Sequence, residues 1–208
     1  GLGLADVSAD YAIAAAWGAA PPAVSEGWCY SDPRSSELGW RLLVPRAAAA
    51  AWSAEATDDD YHRHRIAVGI AEGGRDYPLG DTFPHEANYD RDAGVSFTKG
   101  CFVGQEVVAR MQNKTVVRKR VVAITGSAPL TAGAEVLIGG TAAIGTIGSV
   151  DGARALALLR VDRAAERGEL LPHIGERRAL HVVEHDERPP RVEAELADLH
   201  DIVVLNRR

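Results

Sequence analysis

The pattern of apolar and polar residues changes near the middle of the chain, and its two parts predict different structures. Before Val116, short strand-like runs alternate with alanine-rich and loop-like stretches. After Val116, four apolar runs of strand length follow one another with glycine-containing turns between them: VVRKRVVAI, AEVLI, TAAIGTIGSV and RALALLRV. The pattern predicts an α+β protein whose first, mixed region is followed by a small C-terminal β-barrel.

The beginning of the chain has the features of strands joined by turns. A strand is predicted within residues 2–17, with a helical alternative around residues 14–16, because its short apolar runs contain β-branched side chains and end at Gly18. Residues 27–30 and 38–44 form two more strand-like runs around a turn that contains Asp32 and Pro33. The sequence therefore predicts a hairpin here.

Two helices are predicted next. The alanine run of residues 46–56 favours the first, and residues 61–72 form the second, with Thr57 and the following aspartates as a capped, acid-rich first turn. Gly73 is expected to end it. Residues 74–97 show no sustained period, which predicts a long loop. Its four aromatic side chains indicate that the loop is ordered, and ordered loops of this length are usually functional.

Composition and charge narrow the function classes. The net charge of −6 and the pI near 5.6 argue against a general binder of nucleic acid or membrane surfaces. The apolar stretches are too short to span a bilayer, so we expect a cytoplasmic location and no membrane partner. Because the chain begins at Gly1 without methionine, we expect a trimmed end of a longer protein.

Cysteine spacing gives no metal or disulfide pattern. Cys29 and Cys101 are 72 positions apart and neither lies in a CxxC sequence, so both are predicted to be reduced thiols and no stable metal is expected. Cys101 lies in KGCFVGQEVVAR, just before a predicted helix. The helix N-terminus and Lys99 would favour its thiolate, which makes it a candidate nucleophile, redox group or metal ligand. The alternative is a buried cysteine that packs as a small hydrophobic side chain.

The neighbours of Cys101 suit a tight turn over a pocket. Gly100 and Gly104 would allow positive φ or a close approach of the backbone to a ligand, although an ordinary helix cap needs the same residue type. Arg110 would either meet a carboxylate or pair with Glu106 one helical turn earlier.

This segment resembles the K-G-C-[aromatic or aliphatic]-x-G-Q-E signature of the YgfZ/GcvT-like folate-binding family. That family includes iron–sulfur cluster assembly factors of mitochondria. The sequences DPR with LGWR at 32–41, RIAVGIAEGG at 65–74 and FPHEANYD at 83–90 are similar to its other landmarks. Residues 144–150 and 155–162 are similar to its C-terminal barrel. The signature positions that agree are Lys99, Gly100, Cys101, Gly104, Gln105, Glu106 and Arg110.

The resemblance implies a domain organisation and a ligand. Residues 1–115 would form part of a GcvT-like folate-binding domain whose N-terminal segment is absent ahead of Gly1. Residues 116–186 would form the C-terminal β-barrel, and 187–208 a tail that acts as a linker or docking arm. The implied cofactor is tetrahydrofolate, the implied partners are iron–sulfur client enzymes or assembly proteins, and the location would be the mitochondrial matrix in a eukaryote.

By the same resemblance, the protein would be a tetrahydrofolate-binding accessory factor in assembly or repair of iron–sulfur enzymes, with Cys101 as the functional thiol. The signature residues, Arg65, and the landmark residues Glu86 and Asn88 would form the folate site. One alternative is a folate-dependent aminomethyl or one-carbon transferase, but the R-L-E motif of such enzymes reads Arg65-Ile66-Ala67 here, and Ala67 cannot accept a hydrogen bond. The other is a non-catalytic docking scaffold.

The role of Cys101 stays open among transient ligation of iron, thiol modification and attack on a one-carbon unit. A Cys–His hydrolase would need His85 to fold back onto Cys101, with Glu86 and Asp90 nearby in the same loop. His62 and His64 are spaced for different helix faces, which favours solvated side chains over a metal site. A strip of basic residues follows α-helical sequence near the start of the predicted barrel: Lys114, Arg118, Lys119 and Arg120. This basic strip would either attract the glutamate tail of a folate or an acidic partner, or protect an exposed strand edge from pairing.

Overall fold

The computed structural model describes residues 3–50, 52, 56–114, 116–138, 142–165, 180–184 and 192–193. The chain divides into two compact units, and the division falls between Arg65 and Ile66. Residues 66–114 therefore group with the second unit by compactness, whereas the domain boundary between residues 115 and 116 stays a prediction from sequence.

The first unit contains an antiparallel sheet, called the N-terminal sheet. Among the described residues it has three strands in the order β1-β3-β2, which confirms the predicted opening strand and the predicted hairpin: β1 (Tyr11–Ala16), β2 (Trp28–Ser31) and β3 (Trp40–Pro45). A short 3-10 helix, Ser36–Leu38, leads into Gly39, whose φ of 78° favours glycine. This turn returns the chain to pair β3 between its two neighbours.

One face of the N-terminal sheet carries the core of this unit. Ala16, Leu42 and Val44 are buried together, and Cys29 and Trp52 pack against them. Leu42 and Val44 are two positions apart on β3, so the strand directs them to the same face. Cys29 is half-buried in this cluster, where its side chain contributes to packing.

The first predicted helix is much shorter than its alanine content suggests. The helix α1 (Arg46–Ala49) has Ala50 as its C-cap, and the prediction of a helix through residue 56 is wrong because Trp52 and Ala56 are not helical. Pro45 at its N-cap makes no side-chain hydrogen bond there. Such a short helix has little intrinsic stability, and its stability depends on tertiary packing.

The second helix has the predicted first turn but ends earlier than predicted. In α2 (Asp58–Val68), the Thr57 hydroxyl accepts a hydrogen bond from the Asp60 backbone N–H at 3.2 Å, and the Asp60 carboxylate accepts one from the Thr57 N–H at 2.7 Å. This reciprocal pair confirms the predicted cap and fixes the first turn. The helix ends at Gly69, with φ 79°, rather than at Gly73.

In the second unit, the last residues of α2 are followed by an irregular segment, as predicted for residues 74–97, and then by α3 (Gln105–Lys114). Asp76 fastens this segment to the sheet that follows. Its buried carboxylate accepts hydrogen bonds from the backbone N–H of Glu72 and of Ser149, both at 2.7 Å. Gly148 lies against Asp76 so closely that a Cβ atom there would clash with it.

The second unit also contains the C-terminal sheet. In the part of the chain that the structure describes, it has six strands in the order β5-β6-β7-β4-β8-β9, antiparallel except for the parallel pair β4 and β8. The described strands β5 and β9 form its two edges and are not hydrogen-bonded to each other, so the predicted barrel is not closed. The strands are β4 (Lys119–Gly126), β5 (Glu135–Ile138), β6 (Ala142–Asp151), β7 (Arg154–Arg160), β8 (Leu180–Glu184) and β9 (Val192–Glu193), and α4 (Val161–Ala165) follows β7.

The central strands β4 and β7 are buried on both faces. Ile124 and Leu159 contribute to a core cluster on one face, whereas Val121 and Leu156 pack with Ile66 on the other. Burial on both faces explains why these strands read as nearly continuous apolar runs in the sequence. Most of the predicted tail, 187–208, lies outside the described residues; within it, Val192–Glu193 forms β9.

Candidate functional site

The KGCFVGQE segment connects the irregular loop to α3 and is largely exposed. Cys101 is an exposed free thiol that precedes the first helical residue, Gln105, by four positions. The prediction that Cys101 lies just before a helix is confirmed, and its alternative of a buried packing cysteine is wrong. The thiol is therefore accessible to a partner or reagent.

The two glycines of this segment differ in conformation. Gly104 has φ of 85° and directly precedes α3, whose Val108 N–H donates to the Gly104 carbonyl at 3.3 Å. Gly100 does not adopt a left-handed conformation, and a Cβ atom at either glycine would meet nothing within 4 Å. Gly104 is thus required by the backbone turn that starts the helix, rather than by a close approach of described atoms.

The charged residues of the segment are held locally. The Lys99 ammonium lies 4.5 Å from the centre of the Phe102 ring, a cation–π geometry. Glu106 and Arg110 form an exposed ion pair of 2.8 Å along α3, which is the internal alternative predicted for Arg110. All three charged side chains are exposed, and they lie within nine positions of Cys101 in the sequence.

The FPHEANYD landmark, residues 83–90, is held against strand β4. The buried Asn88 donates its amide N–H to the Val121 carbonyl at 2.7 Å, and the Glu86 carbonyl accepts from the Val121 N–H at 2.9 Å. Asn88 has φ of 62°, a left-handed conformation that asparagine tolerates better than most residues. The Glu86 carboxylate caps its own loop by accepting from the Phe83 N–H at 3.1 Å.

Arg120 fixes the same loop from the side of the sheet. Its guanidinium donates to both carboxylate oxygens of Asp90, at 2.9 and 2.7 Å, and also to the Asn88 side-chain oxygen and the His85 carbonyl. Burial raises the pKa of Asp90, but the hydrogen bonds and positive charge of Arg120 outweigh it and lower that pKa below its ordinary value. The predicted basic strip is therefore wrong at Arg120, which is buried and engaged, whereas Lys114, Arg118 and Lys119 are exposed.

His85 is buried between the loop and α3. Its Nε2 atom lies 3.1 Å from the Gln112 Oε1 atom, and its ring makes a tilted contact with Phe97 at 5.9 Å between centroids. Since Cys101 is exposed and the hydrogen bond seen for the His85 ring goes to Gln112, the structure does not form the Cys–His pair that a hydrolase would need. No local sequence pattern predicts the His85–Gln112 contact, because 27 positions separate the two residues.

The other predicted site residue, Arg65, lies in the first unit and is almost completely buried. Its Nε donates to the Nδ1 atom of His62 at 3.0 Å. His64 stacks on Trp17 with 4.9 Å between ring centroids and binds the Glu37 carbonyl at 2.9 Å. Burial lowers the pKa of His64.

The prediction of solvated histidines is therefore wrong, since His62 and His64 are both half-buried and engaged in contacts. Among the described residues, no group of three or more histidine, cysteine or acidic side chains is placed to hold a metal ion.

A charged cluster that sequence reasoning missed ties α2 to the N-terminal sheet. The buried Asp32 accepts hydrogen bonds from Arg34 at 2.8 Å and from Arg41 at 2.7 Å, and both guanidinium groups reach the Tyr61 hydroxyl. Burial raises the pKa of Asp32, but these hydrogen bonds prevail and bring it to about 2. The signal available in the sequence was the DPR and LGWR landmark, which contains all three charged residues.

Comparison with known proteins supports the resemblance over the C-terminal sheet. Residues 118–189 match the C-terminal β-barrel domain of CAF17. That match agrees with the predicted C-terminal barrel.

Similarity extends to three proteins whose names describe a mitochondrial iron–sulfur cluster assembly factor, IBA57. The homologue from Mycosarcoma maydis is 41% identical over 128 residues, which cover 59% of this chain and 32% of the relative. The human and mouse proteins are 41% identical over 135 and 137 residues, which cover 62% of this chain and 38% of each relative. This chain thus spans about a third of the length of the relatives it matches.

These matches support a relationship to the CAF17/YgfZ type of iron–sulfur assembly protein. The mitochondrial designation of the relatives agrees with the mitochondrial alternative for localisation. Across the described residues, every helix is too short or too polar to cross a membrane.

Proposed function

We propose that this protein is an accessory factor in the assembly or repair of iron–sulfur enzymes, that it binds tetrahydrofolate, and that Cys101 is its functional thiol. The observation that carries the assembly role is 41% identity, over about three-fifths of this chain, to proteins named as iron–sulfur cluster assembly factors. Its partners are then client enzymes or assembly proteins, and in a eukaryote it acts in the mitochondrial matrix. An accessory role is favoured over that of a classical aminomethyltransferase because Ala67 lacks the acceptor of that motif.

The exposure of Cys101 supports the role of the thiol. An exposed thiol can release its proton and coordinate iron through sulfur, whereas the half-buried Cys29 packs in the core of its own sheet. Iron–sulfur clusters commonly take four thiolate ligands, so one cysteine cannot hold a cluster alone. Cys101 therefore serves as a transient ligand to a cluster that is cargo, with the other ligands coming from a partner or a small thiol.

Folate binding rests on the resemblance of the signature and landmark residues. Some of these residues have buried side chains that are engaged with the protein, and others have exposed side chains that a ligand can reach. The side chains of Asn88 and Arg65 are buried, and each donates to a protein acceptor within its own unit, so each has a structural role there. Lys99 is exposed, and its charge suits the carboxylates of a folate tail.

The thiol is tested by replacing each cysteine separately with serine. In cells that depend on this protein, Cys101→Ser should leave client enzymes poor in clusters, whereas Cys29→Ser, at a position that only packs, should not. Client activity and bound iron are measured together with the amount of folded protein. Normal client maturation with Cys101→Ser would refute the proposed role of the thiol.

Folate binding is tested by calorimetry with tetrahydrofolate on the purified protein. Lys99→Ala should weaken binding, while Arg163→Ala, at an exposed cation outside both the signature and the basic strip, serves as the control. Equal heats of binding for the wild type and Lys99→Ala would exclude Lys99 from the site. Absence of any binding heat for the wild-type chain would contradict the folate proposal and leave the assembly role to be judged by the cysteine variants.

A further inference from the structure

The segment that carries Cys101 has few contacts to hold it in place. Of residues 98–111, all of which the structure describes, only Val108 is buried. Val103, just before α3, is fully exposed, and Val107 in α3 is 44% exposed. A segment with so little buried apolar surface needs another anchor to keep a defined position.

His85 contacts both flanks of this segment. On the N-terminal side, its ring lies against Phe97, with 5.9 Å between centroids. On the C-terminal side, its Nε2 atom makes the 3.1 Å hydrogen bond to the Gln112 side chain. One buried ring therefore contacts the chain four residues before Cys101 and eleven residues after it.

The backbone of His85 is itself fixed to the C-terminal sheet. Its carbonyl accepts a hydrogen bond from Arg120 at 2.8 Å, and the next residue, Glu86, is paired with Val121 through the backbone. The side chain is 1% exposed. Contacts thus run from strand β4 through His85 to the two flanks of the exposed segment.

We propose that His85 is a positioning residue, which holds the KGCFVGQE segment and its Cys101 thiol in place on the C-terminal sheet. The proposal deepens the proposed function and rests on it for its biological consequence, because a thiol that handles a cluster must be presented in a defined place. The mechanical part stands on the contacts of His85 alone.

The hydrogen-bonding state of the ring supports a role other than stability. With Gln112 Oε1 as acceptor, Nε2 carries the hydrogen, and Nδ1 is an acceptor without a hydrogen-bond partner among the described residues. A buried polar atom without a partner destabilises a fold, and an apolar side chain of similar volume would avoid this cost. Stability alone therefore does not favour histidine at position 85.

Three substitutions separate the hydrogen bond from the packing. His85→Gln keeps an N–H donor at the position of Nε2, His85→Asn places its amide nearer the position of Nδ1, and His85→Leu keeps only apolar volume. Amide hydrogen exchange of residues 105–114 and the alkylation rate of Cys101 by iodoacetamide report the position of the segment. The urea unfolding midpoint, followed by circular dichroism, reports global stability.

We expect His85→Leu and His85→Asn to speed amide exchange in α3 by about fivefold, the effect of losing one net hydrogen bond on a local opening equilibrium. The Cys101 alkylation rate should change in the same two variants. His85→Gln should restore both readouts to within about twofold of wild type. His85→Leu should keep the wild-type urea midpoint or raise it, because it removes the unpaired Nδ1 atom.

Two results would overturn the proposal. In one, exchange in α3 is the same in wild type and His85→Leu. In the other, His85→Gln exchanges as fast as His85→Leu, so that the hydrogen bond has no positioning effect. These readouts need neither folate, iron nor a client enzyme, so they are independent of the proposed function. Normal client maturation by a variant with a loosened segment would count against the role of the thiol and leave the positioning role intact.

Discussion

The FPHEANYD loop and the KGCFVGQE segment carry the same family resemblance, yet the loop is mostly buried or half-buried against strand β4 and the segment is largely exposed to solvent. In the loop, His85 and Asn88 are buried and joined to strand β4 through hydrogen bonds. In the segment, Cys101 and the Glu106–Arg110 pair are exposed to solvent. A sequence signature therefore mixes residues that build the protein with residues that are available for chemistry, and burial separates them.

The energetic difference between the two regions follows from solvation. A buried charge such as that of Arg120 must be paired, so its partners Asp90 and Asn88 become essential to the fold. An exposed ion pair exchanges water contacts for a weak attraction and contributes little. Mutations should therefore have large effects on stability in the loop network and small ones in the segment.

The largest effect is expected for Arg120→Met. This change leaves the Asp90 carboxylate, whose side chain is 13% exposed, without its bidentate partner. The free energy of unfolding should fall by about 3–5 kcal/mol, measured by urea denaturation. Arg118→Met, at an exposed position two residues earlier, is the control and should change it by less than about 0.5 kcal/mol. Similar effects of the two variants would show that the loop network is not what stabilises this unit.

A smaller loss is expected for Asn88→Ala. Alanine loses the hydrogen bonds to Val121 and Arg120 and is strained at φ 62°, so unfolding should become easier by about 2–3 kcal/mol. Asn88→Gly accepts that φ and should recover about 1 kcal/mol of the loss. Equal stabilities of the alanine and glycine variants would argue against the left-handed conformation.

Acid should weaken the loop network in a defined direction. Because Arg120 lowers the pKa of Asp90 below its ordinary value of 3.8, the pair contributes its full stability above that value. The contribution is lost as the pH falls through the lowered pKa of the folded state. In urea titrations between pH 5 and pH 2, the wild type should lose more stability than Asp90→Asn. Parallel pH profiles for the two proteins would contradict this assignment.

Removal of the exposed ion pair should have a minor effect. For Glu106→Gln we expect a change of less than about 0.5 kcal/mol in the free energy of unfolding, and the difference should shrink further in high salt. A loss above about 1 kcal/mol, measured in the same urea series, would mean that the segment is more deeply engaged than its exposure indicates.

The smallest effect on stability is expected for Cys101→Ser, within about 0.5 kcal/mol of wild type. The Cys101 thiol should nevertheless be more reactive than the Cys29 thiol, because Cys101 is exposed and Cys29 is half-buried. Alkylation followed by mass spectrometry should therefore label Cys101 before Cys29. Faster labelling of Cys29 would reverse the comparison between an accessible and a packed thiol.

Features encoded within a few residues were predictable from the sequence. The cap formed by Thr57 and Asp60 and the pairing of Glu106 with Arg110 involve neighbours three or four positions apart. The helix lengths were less predictable: alanine content favoured a helix over residues 46–56, but the structure ends it at Ala49. Helix propensity is a weak determinant when packing does not support the element.

The sequence by itself determined the strands β1 to β7, the cap of α2 and the position of Cys101 ahead of α3, because periodicity and capping act locally. Only the tertiary structure decided that Arg120 is buried against Asp90, thirty positions away, rather than part of a basic strip. It also decided that His85 meets Gln112. Whether a charged or polar side chain faces water or a partner depends on which distant segments the fold brings beside it. The cost of removing such a group from water, and the partner that offsets it, are therefore not encoded in any short stretch of sequence.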